Sequence, residues 1–239
     1  MKKIVFGILV GFLFVFAGCN DNDEGYSLGD MWVGFGIFKV DEVDSYKIIL
    51  DCKDVLIPVA SNYPPGWGAN IDNGERVFVN YTILDEVLES SLPAYYVKIN
   101  SIKEILMKDV IDITPEIEDS IGNDPIVVED YWMTDSLLSF KLRYWGYDTT
   151  HFLNLGVEPS MSMAPGIQPY ELELRHNAND DEDAIYYTAY VSFSLNDLRI
   201  EGLDSVQFVV TSTDYDGVEF SEEFVFNYSD LPDDIRNIQ

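Results

Sequence analysis

Hydrophobic residues along most of the chain fall in short aromatic and aliphatic runs separated by turn residues, and where they alternate with a period of two they mark a strand that buries one face. Arg76–Ile83 shows this alternation most clearly, with Val77, Val79, Tyr81 and Ile83 on one side. Met31–Phe38 is aromatic and β-branched, and its Gly34 and Gly36 suggest the bends of a first barrel strand. Tyr46–Leu50 and Val55–Val59, split by polar Asp51–Asp54, predict a hairpin. Ser61–Asn73 contains Pro64-Pro65-Gly66-Trp67-Gly68 and predicts a loop. Ala94–Ile102 and Lys103–Ile113 extend the series of strands, although Lys103–Lys108 also fits a helical turn.

Thr114–Pro125 interrupts the pattern with Pro115, Gly122, Pro125 and four acids. Strand character then resumes in Ile126–Trp132, Leu137–Tyr144, His151–Leu155, Tyr170–Arg175, Ile185–Ser194, Val206–Thr213 and Val218–Tyr228. Leu195–Ile200 reads as a single helical turn, and Asp214-Tyr215-Asp216-Gly217 as a hairpin connection with Gly217 free to take positive φ. No internal repeat and no sustained amphipathic helix is visible. The predicted class is therefore all-β. An N-terminal OB-like barrel spans 31–113, an interdomain linker 114–125, and a C-terminal antiparallel β-sandwich 126–239.

The N-terminus changes the picture of where this body resides. Lys2 and Lys3 precede an apolar run from Ile4 to Phe16, and Ala17-Gly18 then leads into Cys19. Small residues before a cysteine fit a lipoprotein signal peptide over 1–18, with Cys19 as the lipidation site. Phe16 stands where Leu is usual in such a signal. The run is short for a transmembrane span, and an acidic linker over 19–30 follows at once. The expected membrane partner is thus reached through a lipid anchor, with triacylated Cys19 holding the chain.

The chain carries 14 basic and 43 acidic residues among 239, a net charge of −29. Loss of Lys2 and Lys3 with the signal leaves 12 basic residues against 43 acidic ones, near −31. That charge argues against nucleic acid as a partner, because phosphates need a basic face. Hydrophobic residues at 47% supply material for a core, so the acidity does not signal disorder. With Cys19 lipidated, Cys52 has no partner for an intrachain disulfide, and burial is its expected fate.

Candidate chemistry is sparse. Arg175-His176-Asn177 ends a strand and enters the turn Asn177–Asp183, where a cation, an imidazole and an amide can orient a carboxylate or a sugar. The alternative is that these groups satisfy neighbouring carboxylates and turn backbone. His151 reads as a strand residue. Zinc lacks ligands, and no catalytic set converges. No cofactor is expected; calcium is better served than zinc, through Asp180 and Asp183 or Asp214 and Asp216, although neither spacing completes an EF-hand loop. Trp67 and Trp145-Gly146-Tyr147 offer rings that can stack on sugars or pack between domains.

Asp72–Val77 leading into Asn80–Ile83, Tyr96–Asn100, Ile121–Ile126 before Tyr131–Met133, and Leu172–Ala178, of which Glu-Leu-Arg-His-Asn-Ala is the most specific, together resemble the NigD-like lipoproteins of Bacteroidota. The resemblance implies an N-terminal OB-like domain followed by a β-sandwich, export and cell-surface association. It also implies a bacteriocin-immunity or accessory role, and supplies no catalytic residue. Asn20–Glu24 is similar to the acidic stretch that sends such lipoproteins to the outer face of the outer membrane, a periplasm-facing anchor being the alternative. Ser120, Ser136, Thr149 and Ser205, each after an aspartate, resemble acceptors of protein O-glycosylation in the same phylum. The expected function is a non-enzymatic binding protein with an unknown protein or glycan ligand. Glycan binding is the alternative, and a carboxylate-dependent glycan hydrolase ranks last.

Overall fold

A computed structural model describes residues 26–42, 45–62, 71–157 and 168–228. The signal segment, Cys19 and Trp67 lie outside the described residues. Five strands, β1 (Trp32–Glu42), β2 (Ser45–Leu50), β3 (Val55–Ser61), β4 (Arg76–Glu86) and β5 (Ala94–Glu104), close into a barrel in the order β1-β2-β3-β5-β4. The predicted face of β4 is the barrel core: Val77 and Val79 are fully buried, packed with Ile48, Leu56, Val97 and Ile99. The predicted hairpin is present, with Ile48 opposite Leu56 and Ile49 opposite Val55.

The segment expected to finish the barrel belongs elsewhere. β6 (Leu106–Asp109) pairs in parallel with β12 (Ile185–Ser194), and β7 (Ile111–Asp112) pairs in parallel with β10 (Phe152–Val157). Five strands already satisfy the barrel's edges, so the next residues cross to the second body and lend one short strand to each of its sheets. Those sheets run β6-β12-β9-β8 and β14-β13-β11-β10-β7, with β8 (Val127–Thr134), β9 (Leu137–Gly146), β11 (Tyr170–Asn177), β13 (Ser205–Thr213) and β14 (Glu219–Asn227). The sandwich is mixed, since β11 and β13 are also parallel. Residues 114–125, expected as an interdomain linker, lie inside the sandwich's own connectivity and carry a short helix, α1 (Glu118–Ile121), against β10 and β11.

Inward residues from both sheets, among them Leu138, Phe140, Leu155, Leu172, Phe193, Phe208 and Val210, form a second, larger core. The predicted helical turn is a 3-10 turn at Asn196–Leu198, and Gly217 takes φ 74° in the β13–β14 hairpin.

Barrel and sandwich meet on the outer face of the four-stranded sheet. The Phe35 ring lies 4.9–5.0 Å from those of Phe78, Trp132 and Tyr190. Beneath them Arg76 is wholly buried. Its guanidinium donates to both Asp51 oxygens at 2.5 and 2.6 Å and to the hydroxyls of Ser192 (3.2 Å) and Ser139 (3.4 Å). The Trp132 indole N–H also donates to Asp51, at 2.8 Å. A buried cation is tolerated here because Asp51, on the same barrel, matches its charge, while the Ser192 and Ser139 hydroxyls of the sandwich accept further donors across the interface. Lys53, in the β2–β3 turn, pairs with Asp135 in the β8–β9 turn and adds a second bridge. Cys52 in that first turn is exposed, contrary to its expected burial, because the hairpin tip projects from the barrel.

Candidate functional site

Arg175, His176 and Asn177 end β11 where the strand passes under residues 114–125. Leu172 and Leu174 point into the core, so the alternate position, Arg175, emerges on the outer face. It is nonetheless buried, because the 114–125 segment covers it. Its Nε lies 2.7 Å from Glu173 Oε2, and Nη1 reaches the Gly122 carbonyl at 3.4 Å. Asn177 donates to the Ser120 carbonyl at 2.8 Å and accepts the Asn179 N–H at 2.6 Å. Gly122 makes the covering possible. It has φ 63°, and a Cβ there would sit 2.8 Å from the Asn177 backbone and the His176 carbonyl oxygen.

His176 is buried and bonded at both ring nitrogens. Nδ1 lies 2.9 Å from the Pro125 carbonyl, and Nε2 lies 2.8 Å from Nδ1 of His151. His151 Nε2 in turn lies 3.1 Å from Asp181 Oδ2. The Tyr144 ring stacks on His151. Asp181 accepts the Tyr147 N–H at 2.6 Å and the Asp148 N–H at 3.3 Å, and these backbone donors, with His151, hold its carboxyl well below the usual range. Burial pushes the His176 pKa down. The predicted loop-end trio is thus brought together as a clasp whose named contacts are intramolecular, and the open-binding-site reading gives way to the backbone-satisfying one. Two partners were missed in the sequence. His151 and Asp181 stand 25 and 5 residues from His176, and only the β10–β11 pairing, with Leu153 opposite His176, aligns them.

The proposed calcium ligands are not assembled. Among the described residues no group of three or more acids, histidines or cysteines is placed to hold a metal. Asp214 instead caps its own hairpin, its Oδ1 accepting the N–H groups of Asp216 and Val218 at 2.9 and 2.8 Å. Of the proposed glycosylation positions, Ser120 is exposed, Thr149 and Ser205 are half-buried, and Ser136 is buried in the β8–β9 turn, which leaves no room for a sugar on it.

The barrel presents a different kind of surface. Ile48 and Leu56 face inward, so Ile49, Val55 and Ile57 face outward. The connection from β4 to β5 folds over them and places Leu92, Ser90 and Ser91 along one side. The result is a concavity of about 540 Å³ in which these aliphatic residues are joined by Tyr46, Ser45 and the paired Lys47 and Asp41. In five-stranded barrels of this type, the β2–β3 face and the loops beside it are the usual ligand platform.

The fold defines a two-body, all-β protein: a five-stranded OB barrel in contact with a β-sandwich. The family follows from sequence comparison. The NigD-like N-terminal OB domain matches residues 38–105, and the NigD-like C-terminal beta sandwich domain matches residues 109–226. The chain belongs to the NigD-like family. Both matches break between 105 and 109, where the strands leave the barrel. Among solved structures, a toxin-related protein of Parabacteroides distasonis is 28% identical, with a TM-score of 0.70 over 88% of this chain and 100% of its own. A protein of unknown function from Bacteroides vulgatus is 26% identical, with a TM-score of 0.65 over 85% and 95%. A NigD-like immunity protein from Bacteroides caccae shares the fold at 18% identity, with a TM-score of 0.60 over 84% and 99%. No curated protein is detectably similar in sequence.

Proposed function

We propose that this protein is an exported, lipid-anchored binding protein without catalytic activity, held by Cys19 at the outer membrane and facing the cell surface. Its ligand is a protein segment seated in the barrel concavity. The observation that carries this reading is the concavity's lining of Ile49, Val55, Ile57, Pro58 and Leu92, in which the one aromatic side chain among the described residues, Tyr46, is itself stacked on Phe38. Aliphatic floors bury apolar side chains, whereas sugar rings are recognised by stacking on flat aromatic faces. The most specific version is immunity toward a secreted toxin, the role named for the Bacteroides caccae relative. A net charge of −29 favours a partner with a basic surface and faster association at low salt.

A deletion strain tests the reading. It should become sensitive to toxins of neighbouring strains and be rescued by the wild-type gene. A gene encoding Ile57→Glu with Leu92→Glu should give the same surface level without rescue. Unchanged sensitivity of the deletion strain ends the immunity version, and full rescue by the double variant ends the assignment to the concavity.

One observation favours glycan binding as a second reading. Trp145 stacks on the exposed Tyr186 at 3.5 Å between ring centroids, and the Arg143 guanidinium lies 4.9 Å from the Tyr186 ring. Glycan-array binding that is lost in Trp145→Ala would establish it, and a blank array would remove it.

A further inference from the structure

The chain Asp181–His151–His176–Pro125 contains three hydrogen bonds linking four groups. Each bond needs one proton. The Pro125 carbonyl can only accept, so His176 Nδ1 must donate to it. The Asp181 carboxylate already accepts two backbone N–H groups and can only accept from His151 Nε2. The remaining bond, between His151 Nδ1 and His176 Nε2, needs a third proton, yet two neutral imidazoles bring only two.

We propose that this chain is a proton-holding latch, complete only when the imidazole pair carries one proton beyond its neutral complement, and that it couples the pH of the surroundings to closure of the 114–125 segment over β11. The extra proton makes His151 donate from both nitrogens beside the Asp181 carboxylate, while His176 stays neutral. Burial works in the same direction, because it disfavours charge on His176.

The surroundings are compatible with this assignment. Tyr144 lies against both imidazoles, with Tyr187 stacked on Tyr144. Asp124 is the second acid close to His176, and its Oδ2 is engaged by the Ala178 N–H. On the Asp181 side, the backbones of Tyr147, Asp148 and Glu182 supply donors to the carboxylate. The site is also closely built, since a Cβ on Gly146 would lie 3.0 Å from both Asp181 Oδ2 and His151 Nε2. His176 belongs to β11 and Pro125 to the covering segment, so the latch and the Asn177–Ser120 bond hold the same edge closed.

The proton count dictates an unusual stability profile. The unfolded pair takes up two protons as pH falls through about 6.5, and none above it. The latched pair keeps one throughout. Below that pH the unfolded chain binds more protons, and above it the folded chain does, so the pair's contribution to stability peaks near pH 6.5 and falls on both sides.

Long-range nitrogen–proton NMR of the two imidazoles in the full folded chain is the direct test. Between pH 5.5 and 7.5, His151 should show two protonated nitrogens, and His176 a protonated Nδ1 with a bare Nε2. Two neutral rings at pH 6, or two cationic ones, would overturn the latch. Asp181→Asn should render His151 neutral at pH 6 and flatten the dependence of the urea midpoint on pH around 6.5. Retention of the doubly protonated ring in that variant would also refute the proposal. Should the variant fail to fold, the wild-type spectra and the position of the stability maximum decide alone.

Discussion

Replacing Asp51 by alanine separates the contribution of the buried interface cation from that of the apolar contacts around it. Arg76 has no exposure, while the Asp51 side chain keeps 23%. Truncating Asp51 removes the two shortest bonds to the guanidinium and the acceptor of the Trp132 indole, leaving the Ser192 and Ser139 hydroxyls at 3.2 and 3.4 Å. An uncompensated buried charge costs about 3–5 kcal/mol. Water can enter where Asp51 was partly exposed, which places the expected loss near the lower limit, about 3 kcal/mol. Arg76→Met removes the cation itself and keeps much of its apolar stem, so it should cost no more than about 1–2 kcal/mol. The double variant should resemble Arg76→Met rather than the sum, a coupling of about 2 kcal/mol or more between contacting groups. At a urea dependence of about 3 kcal/mol per molar, the Asp51→Ala midpoint should fall by about 1 M. An Asp51→Ala loss below about 1 kcal/mol, or strictly additive singles, would show that the buried Arg76 charge does not depend on Asp51 for its compensation.

Three further outcomes are expected. Gly122→Ala should destabilise the chain by about 1–3 kcal/mol, since the residue needs φ 63° and its methyl would meet Asn177; a denaturation midpoint equal to wild type would refute the close approach. The depressed Asp181 carboxyl contributes stability that is present above the unfolded carboxylate pKa of about 4 and lost as pH falls through the lower folded value. Acid titration of Asp181→Asn should therefore show a shallower loss of stability below pH 4 than wild type. Cys52 is exposed, so a maleimide should label it in the native protein, slowly at neutral pH and faster as pH rises, because desolvation pushes the thiol pKa up. Labelling only after unfolding would contradict the placement of the hairpin tip.

The elements of the fold were legible because each strand carries its own burial pattern. Val77, Val79, Tyr81 and Ile83 announce the β4 face without reference to any neighbour, and Asp214–Gly217 announces its turn through local backbone preference. The allegiance of Leu106–Asp112 was not legible. A short strand has the same alternation whichever sheet receives it, and only closure of the five-stranded barrel sends it to the sandwich. The Arg-His-Asn run likewise stood out as a cluster, while its chemistry depended on partners that pairing and covering bring to it.

From sequence alone came the all-β class, the division into two bodies, the acidic surface and the family resemblance, all of which rest on local periodicity, composition or short motifs. Tertiary structure alone decided that Arg76 is an interface cation, that His151 and His176 share a hydrogen bond, and that outward aliphatic residues on β2 and β3 line a hollow. These are contacts between residues distant along the chain, and a hydrogen bond or a concavity has no existence until both of its sides are in place.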